Sequence, residues 1–264
     1  MVGKLAKYFK IWKITTGKVT QIAFISRLGA AIFVIGKILR FAFFLMFLVI
    51  LGQKTRAIAG YSIDQIIFAF ATFNIIDTTS QLLFREVYRF RYYITSGEFD
   101  YFLTKPISPL VRSLFGGSDV LDLPVLLISI VFVIYSGQEI GNFTPLSIFA
   151  FIALILNALL IALSLHIIVL AIGVMTTEID HTIMIYRDIT QMGRLPIDIY
   201  REPLSWILTF ILPVGIMMTV PAKSFFNLLS LPQVFLFLTI AIFFLIISLK
   251  FWSFALKNYT SVSS

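Results

Sequence analysis

Long apolar runs alternate along the chain with short charged segments, and that rhythm predicts membrane-spanning helices. Runs over residues 27–51, 62–84, 113–135, 145–176 and 232–254 are apolar throughout or nearly so, and each is close to or beyond the roughly 20 residues that cross a bilayer core. Short polar pieces join them: 53–61, a tight SGQEIGN turn from Ser136, and a polar elbow, TEIDH, from Thr177. Between residues 181 and 231 the pattern allows two readings. In one, a short polar helix over 179–195 is the fifth span. Residues 204–220, interrupted by Pro213 and followed by Pro221, are then an outer re-entrant pair, a shape tolerated where protein or a water-filled cavity lies alongside. In the other, 204–220 crosses and 177–203 stays in water, which hydropathy and Arg187, Arg194 and Arg201 favour. Either reading gives six spans with both termini on one side.

Composition agrees with this class. The chain is 59% hydrophobic with a mean hydropathy of +0.97, well above the roughly 45–50% apolar content of soluble domains. At 264 residues it is one polytopic membrane domain. There is no cysteine, which excludes disulfides, thiolate catalysis and thiolate metal sites. The net charge of +8 is a topological signal here and not a nucleic-acid footprint. Lysines and arginines gather before the first span, in the segment 85–112, and at the C-terminal end (Lys250, Lys257). Fewer lie opposite, among them Lys54, Arg56, Arg201 and Lys223. The positive-inside rule therefore predicts cytoplasmic termini and a cytoplasmic central loop.

Residues 1–26 form a separate amphipathic segment. Leu5, Tyr8, Phe9 and Trp12 make an apolar stripe and Lys4, Lys7, Lys10 and Lys13 fall on the other side, the pattern of a helix lying in the interface. Catalytic signatures are missing. No GxxxxGK[ST] loop is present to hold ATP phosphates. His166 and His181, the two histidines, lack metal-ligand spacing, so no metal site and no enzyme is predicted. His166 reads as a packing histidine.

The central loop carries the most information. Arg85, Glu86, Arg89 and Arg91 continue the second span, interleaved with aromatics. Ser96-Gly97 breaks the helix, and 98–103 (EFDYFL) can form a short amphipathic helix, its Glu98 and Asp100 suited to the positive end of the dipole. The prolines of KPISP then fix the return to the third span.

The run FN..D...QLLFREVYRFRYYITSGEFDYFLTKPISPLVRSLFGG resembles permeases of the type-2 ABC exporter family, in particular the small bacterial branch with a separate ATPase. RLPIDIYREPLSWILTFILPVGIMMTVPA resembles that branch after the fifth span. The resemblance implies an all-α fold: a connecting helix over 1–26, then a six-span permease domain over 27–264. That domain would hold a cytoplasmic coupling loop at 85–112 and outer re-entrant helices at 198–226. It implies a coupling helix over about 93–105, with Tyr93, Ser96, Gly97, Glu98, Phe99, Asp100, Tyr101, Lys105 and Pro106 meeting the ATPase. It implies ABC ATPase subunits and a second permease, identical or paralogous, as partners in a prokaryotic cytoplasmic membrane. The chain itself would bind no cofactor, ATP and magnesium residing on the ATPase.

Charge inside the spans gives a second candidate site. Asn74, Asp77 and Gln81 share one helix face, with Asp77 about 10 Å above the loop-side edge at the helical rise. Lys37 and Arg40 lie about 9 and 14 Å above it, and Asp119 and Asp122 enter the third span at comparable depth. Unpaired, such charges are costly, so these seven residues are expected to form a polar cluster. Arg187, Gln191 and Arg194 share a face of the 179–195 helix and would border a pathway. The leading function is the membrane subunit of an ATP-driven exporter. An autonomous ion-coupled transporter or channel is the alternative, with Asp77 as its only ion site.

Overall fold

The computed structural model describes residues 2–55, 57, 59–141 and 143–260, with side chains from residue 6 onward. The side chains of Lys4 and Leu5, and the whole of Arg56 and Asn142, lie outside the described residues. Regular structure among the described residues is helical. Among the described residues, five helical stretches are long and apolar enough to cross a membrane: Arg27–Lys54, Ile63–Thr95, Val120–Ile140, Pro145–Thr176 and Leu231–Lys257.

Local chemistry sets the boundaries. Helix α1 (Val2–Ala23) precedes Ser26, whose hydroxyl caps α2 (Arg27–Lys54) by accepting from the Gly29 amide. A reciprocal Ser62–Gln65 capping box starts α3 (Ile63–Phe84), satisfying two amides that would otherwise be unpaired. A 3₁₀ turn, Arg85–Arg89, tightens the end of α3 and leads into α4 (Phe90–Thr95). Gly97, at φ 74°, takes a left-handed conformation that disfavours any side chain and turns the chain into α5 (Glu98–Thr104). Ser108 caps α6 (Pro109–Leu114), with Pro109 in its first turn.

The third span starts later than hydropathy predicts. Residues 113–135 are not one helix. After α6 the chain is irregular through Gly116-Gly117-Ser118, Asp119 caps a 3₁₀ turn, and α7 (Leu123–Ile140) only then begins. The cause is local. A Cβ at Gly116 would overlap Arg112 and Glu86, and one at Gly117 would lie 2.6 Å from Val19 of α1, so this strip is spent on docking other elements. The far end shifts too: α7 runs through Ser136–Ile140 and stops at Gly141 (φ 73°), leaving a shorter turn than SGQEIGN promised.

A Thr144–Ser147 capping box opens α8 (Pro145–Thr176), and Thr177 at φ 60° closes it. Helix α8 is the hub, in contact with α3, α9, α11, α12 and α13. Its buried face is rich in small residues (Ala158, Ala162, Ala171, Gly173), which lets neighbouring backbones approach in a membrane. Asn157 donates across to the Phe237 carbonyl of α13 at 3.2 Å. His166 is buried among Phe84, Tyr88 and Tyr186, its Nδ1 2.8 Å from the Ala162 carbonyl.

Helix α9 (Ile179–Gln191) packs beside α4, and the 3₁₀ turn Met192–Arg194 that follows packs on α3. Asp180 pairs with Arg91, and past the turn Asp198 accepts from Tyr61 at 2.7 Å. Residues 204–220 do not form one helix. The short α10 (Leu204–Trp206) continues as a π turn to Ile211. Pro213 then interrupts the ladder before α11 (Val214–Met218) and α12 (Val220–Phe225), as proline must inside a helix. Gly193 packs on Val214 and Met218 while Lys223 reaches Asp198. Helix α13 (Leu231–Lys257) then lies along α8. By contrast α2 is peripheral: only Ala30, Phe41 and Leu48 are buried along it.

Candidate functional site

Two groups of residues stand out, one in the loop after α3 and one inside the bundle. The loop is built on a single carboxylate. The 3₁₀ turn after Phe84 directs Glu86 inward, where it is 2% exposed. It accepts from Arg112 at 2.6 Å, from the Tyr93 hydroxyl at 2.8 Å and from Arg89 at 3.1 Å. The Arg112 guanidinium also lies 4.9 Å from the centre of the Phe102 ring and 5.8 Å from that of Tyr93. One buried ion pair thereby joins the end of α3, α4, α5 and α6. A charge buried with several donors and a partner is stable, and it becomes costly when either partner is lost.

Phe99 makes the second attachment of α5. It is fully buried, edge-on to Phe90 at 5.1 Å and to Tyr259 at 5.2 Å, with Trp252 of α13 at 6.4 Å. Tyr259 also donates to Asp100 at 3.0 Å. The opposite side of α5 faces outward, with Tyr101 66% exposed. Leu103, Lys105 and Pro106 are exposed beside it, as is Ser96, and Gly97 and Glu98 are half-buried. Of the nine residues expected at the coupling helix, then, Tyr93, Phe99 and Asp100 face the protein. Arg91 to Asp180 ties this loop to α9.

Helix α1 docks on the same region. Lys7 donates to the Pro106 carbonyl at 2.9 Å, and the Tyr8 hydroxyl accepts from the Ser108 amide at 2.9 Å. Trp12 donates to Ser118 Oγ at 3.0 Å, and the Ser118 amide donates to Thr16 at 3.2 Å. The stripe of Tyr8, Phe9 and Trp12 thus lines one side of an apolar groove, with Val111 and Phe115 on the other.

Inside the bundle, Lys37, Arg40, Asn74, Asp77, Gln81 and Asp122 line one cavity together with Arg187 and Arg194. The two sets named separately from the sequence, the intramembrane cluster and the polar face of α9, meet here. Gln191 joins through Arg40, which donates to it at 2.9 Å. Phe41, Phe44, Phe70 and Phe73 complete the wall, and Arg194 lies 5.4 Å from the centre of the Phe44 ring. Asp119 does not belong: it pairs with Arg85 at 3.3 Å, because the irregular strip before α7 carries it toward the loop. The pairing also differs from a Lys37–Asp77 bridge. Lys37 pairs with Asp122, whereas Asp77 accepts from Gln81 at 2.8 Å. Asn74 is occupied with the Phe70 carbonyl at 2.8 Å.

Sequence reasoning missed two features. Glu86 and Arg112 were legible only as loop charges, although Glu86 with Arg89 has i,i+3 spacing and Gly116-Gly117 marks a close approach. At the other end of α3, Asp198 joins Tyr61 and Lys223 (2.6 Å) beside a cavity of about 520 Å³ that includes Tyr200, Glu202 and Trp206. Burial, then the Asp198 carboxylate, hold the Tyr61 phenol well above its usual range.

These features define a multi-pass helical membrane protein with a surface loop tied into the bundle and a cavity lined by charged residues. The chain belongs to the ABC-2 family of transporters: the family model described as ABC-2 family transporter protein matches residues 38–263, and the protein is accordingly an ABC transporter permease. No match is found among curated proteins or among solved structures.

Proposed function

We propose that this permease is the membrane subunit of an ATP-driven exporter, worked by separate ATPase subunits that dock on α5. The observation that carries this reading is the construction of α5. Its outer side presents Tyr101, Leu103, Lys105 and Pro106, while Phe99 and the Phe102–Arg112–Glu86 chain fix its inner side to α13 and α3. A push on such a helix displaces spans instead of being absorbed by a flexible loop. Closure of two ATPases would move α5, and through Glu86 and Phe99 switch the access of the bundle.

In this reading α9 with its 3₁₀ turn is the fifth of six crossings, and residues 198–226 are re-entrant at the outer face. The contacts of Asp180 with Arg91 and of Asp198 with Tyr61 support the crossing, and the interruption at Pro213 supports the re-entrance. The basic loop and the lysines of α1 support cytoplasmic termini in a prokaryotic inner membrane. A second permease subunit would cover the exposed side of α2 and the exposed Asp188 of α9, since charges left facing lipid are expensive.

The test is to purify the full chain in mild detergent from its native host. A stoichiometric P-loop ATPase is expected with it. A lone permease whose transport survives ATP depletion would overturn the reading in favour of an autonomous transporter centred on Asp77.

A further inference from the structure

The cavity between α2, α3 and α9, which opens to the surface at the exposed Arg40 and Arg187, holds more positive than negative charge. Lys37, Arg40, Arg187 and Arg194 face two carboxylates, Asp77 and Asp122. Asp122, whose side chain is 1% exposed, is consumed by Lys37, and Gln81 donates to Asp77. Arg40, Arg187 and Arg194 therefore share one acidic residue, leaving an excess of two positive charges within the transmembrane part of the protein. Asp77 lies within electrostatic reach of Arg40 and Arg187 but offsets only one of them. Excess cation at this depth needs an anionic complement or water.

The cavity is also amphipathic. Four phenylalanines, 41, 44, 70 and 73, form its apolar wall, and the Phe70 ring packs tilted against Phe41 at 5.1 Å and Phe44 at 4.7 Å. Its volume is about 80 Å³, several times the space of about 10–15 Å³ that one water needs, which suits a compact headgroup. Guanidinium forks match the geometry of tetrahedral oxyanions bidentately.

We infer that this cavity takes the phosphate-type oxyanion headgroup of an amphiphile, with Arg187 and Arg194 as its fork, Arg40 held alongside by Gln191, and the phenylalanine wall against the start of the apolar tail. This rests on the permease reading and names the class of molecule that would enter it. The Lys37–Asp122 pair sets the floor of the site and leaves the arginines available.

The experiment is equilibrium binding of a fluorescent-tailed phosphatidic acid to the full-length protein in phosphatidylcholine nanodiscs, with unlabelled competitors. Phosphatidic acid is expected to compete at least about tenfold better than phosphatidylcholine, a difference worth one charge-assisted hydrogen bond or more. Arg187→Gln with Arg194→Gln is expected to erase that preference, and Arg201→Gln, the same charge change outside the cavity, to leave it intact. If the double variant does not fold, Arg187→Gln alone is read in the same way. Equal competition by phosphatidylcholine, or a preference unchanged in the cavity variants, overturns the inference. Competition by inorganic phosphate as strong as by phosphatidic acid overturns the amphiphile and assigns the cavity to a soluble anion. Binding is read without an ATPase, so the two proposals fail separately. An ATPase that copurifies with a protein showing no anion preference removes this inference alone, and the preference without an ATPase removes the exporter reading alone.

Discussion

Glu86 is the residue on which the loop depends. It is nearly inaccessible and satisfies Arg112, Arg89 and Tyr93 together. Replacing it with alanine strands a partly buried guanidinium, and after discounting for the 19% exposure of the Arg112 side chain a loss of about 2–3 kcal/mol is expected. Thermal unfolding of the purified protein measures it. Gly116→Ala is expected to do comparable damage without touching a charge, since its Cβ would overlap both members of the pair. A stability equal to wild type in either variant contradicts the account. The same scale shows what sequence can and cannot supply. Helical spacing placed Asn74, Asp77 and Gln81 on one face, and the rise placed Lys37 and Arg40 near their depth, so the members of the cavity were legible. The partners were not. Lys37 meets Asp122 and not Asp77 because the start of α7 is delayed, a shift set by packing around two glycines that no periodicity records.

At the scale of elements, α5 is the part most exposed to loss of coupling. Phe99 carries no outward surface, and its removal leaves a hole among Phe90, Trp252 and Tyr259. Phe99→Ala is expected to cost about 3 kcal/mol or more and to uncouple ATP hydrolysis from transport in proteoliposomes, while ATPase binding through Tyr101 and Leu103 persists. Transport coupled as tightly as in wild type would show that α5 transmits nothing. Apolar length and the short polar connections located α2, α3, α8 and α13 closely from sequence. They failed where a helix answers to tertiary contacts. Residues 113–122 adjoin the apolar run of a span but serve as the dock for α1, and 204–220 have its hydropathy but are broken at Pro213. Helix α9 is the converse, too polar to register as a span although its charged face lines a cavity.

For the whole molecule, the absence of native cysteine makes topology directly readable. Arg201→Cys is expected to react with a membrane-impermeant thiol reagent added to intact cells, and Thr104→Cys only after the membrane is opened. Reaction of both from the same side contradicts α9 as the fifth crossing. The fold class and the family were legible because hydropathy and the SGEFDYFLTKPISPL run survive without tertiary information. The internal connections of α5, which in the proposed mechanism turn a surface loop into a lever, were not. The central claim is that ATPase subunits drive the bundle through that lever, and its most direct test is copurification from the native host of the variant Tyr101→Ala with Leu103→Asp. Both side chains face outward, so the fold and its unfolding temperature should match wild type while the copurifying ATPase falls by about tenfold or more, as expected when anchors at the centre of an interface are removed. An ATPase retained at full stoichiometry on the folded variant would contradict docking at α5, and with it the mechanism proposed for this permease.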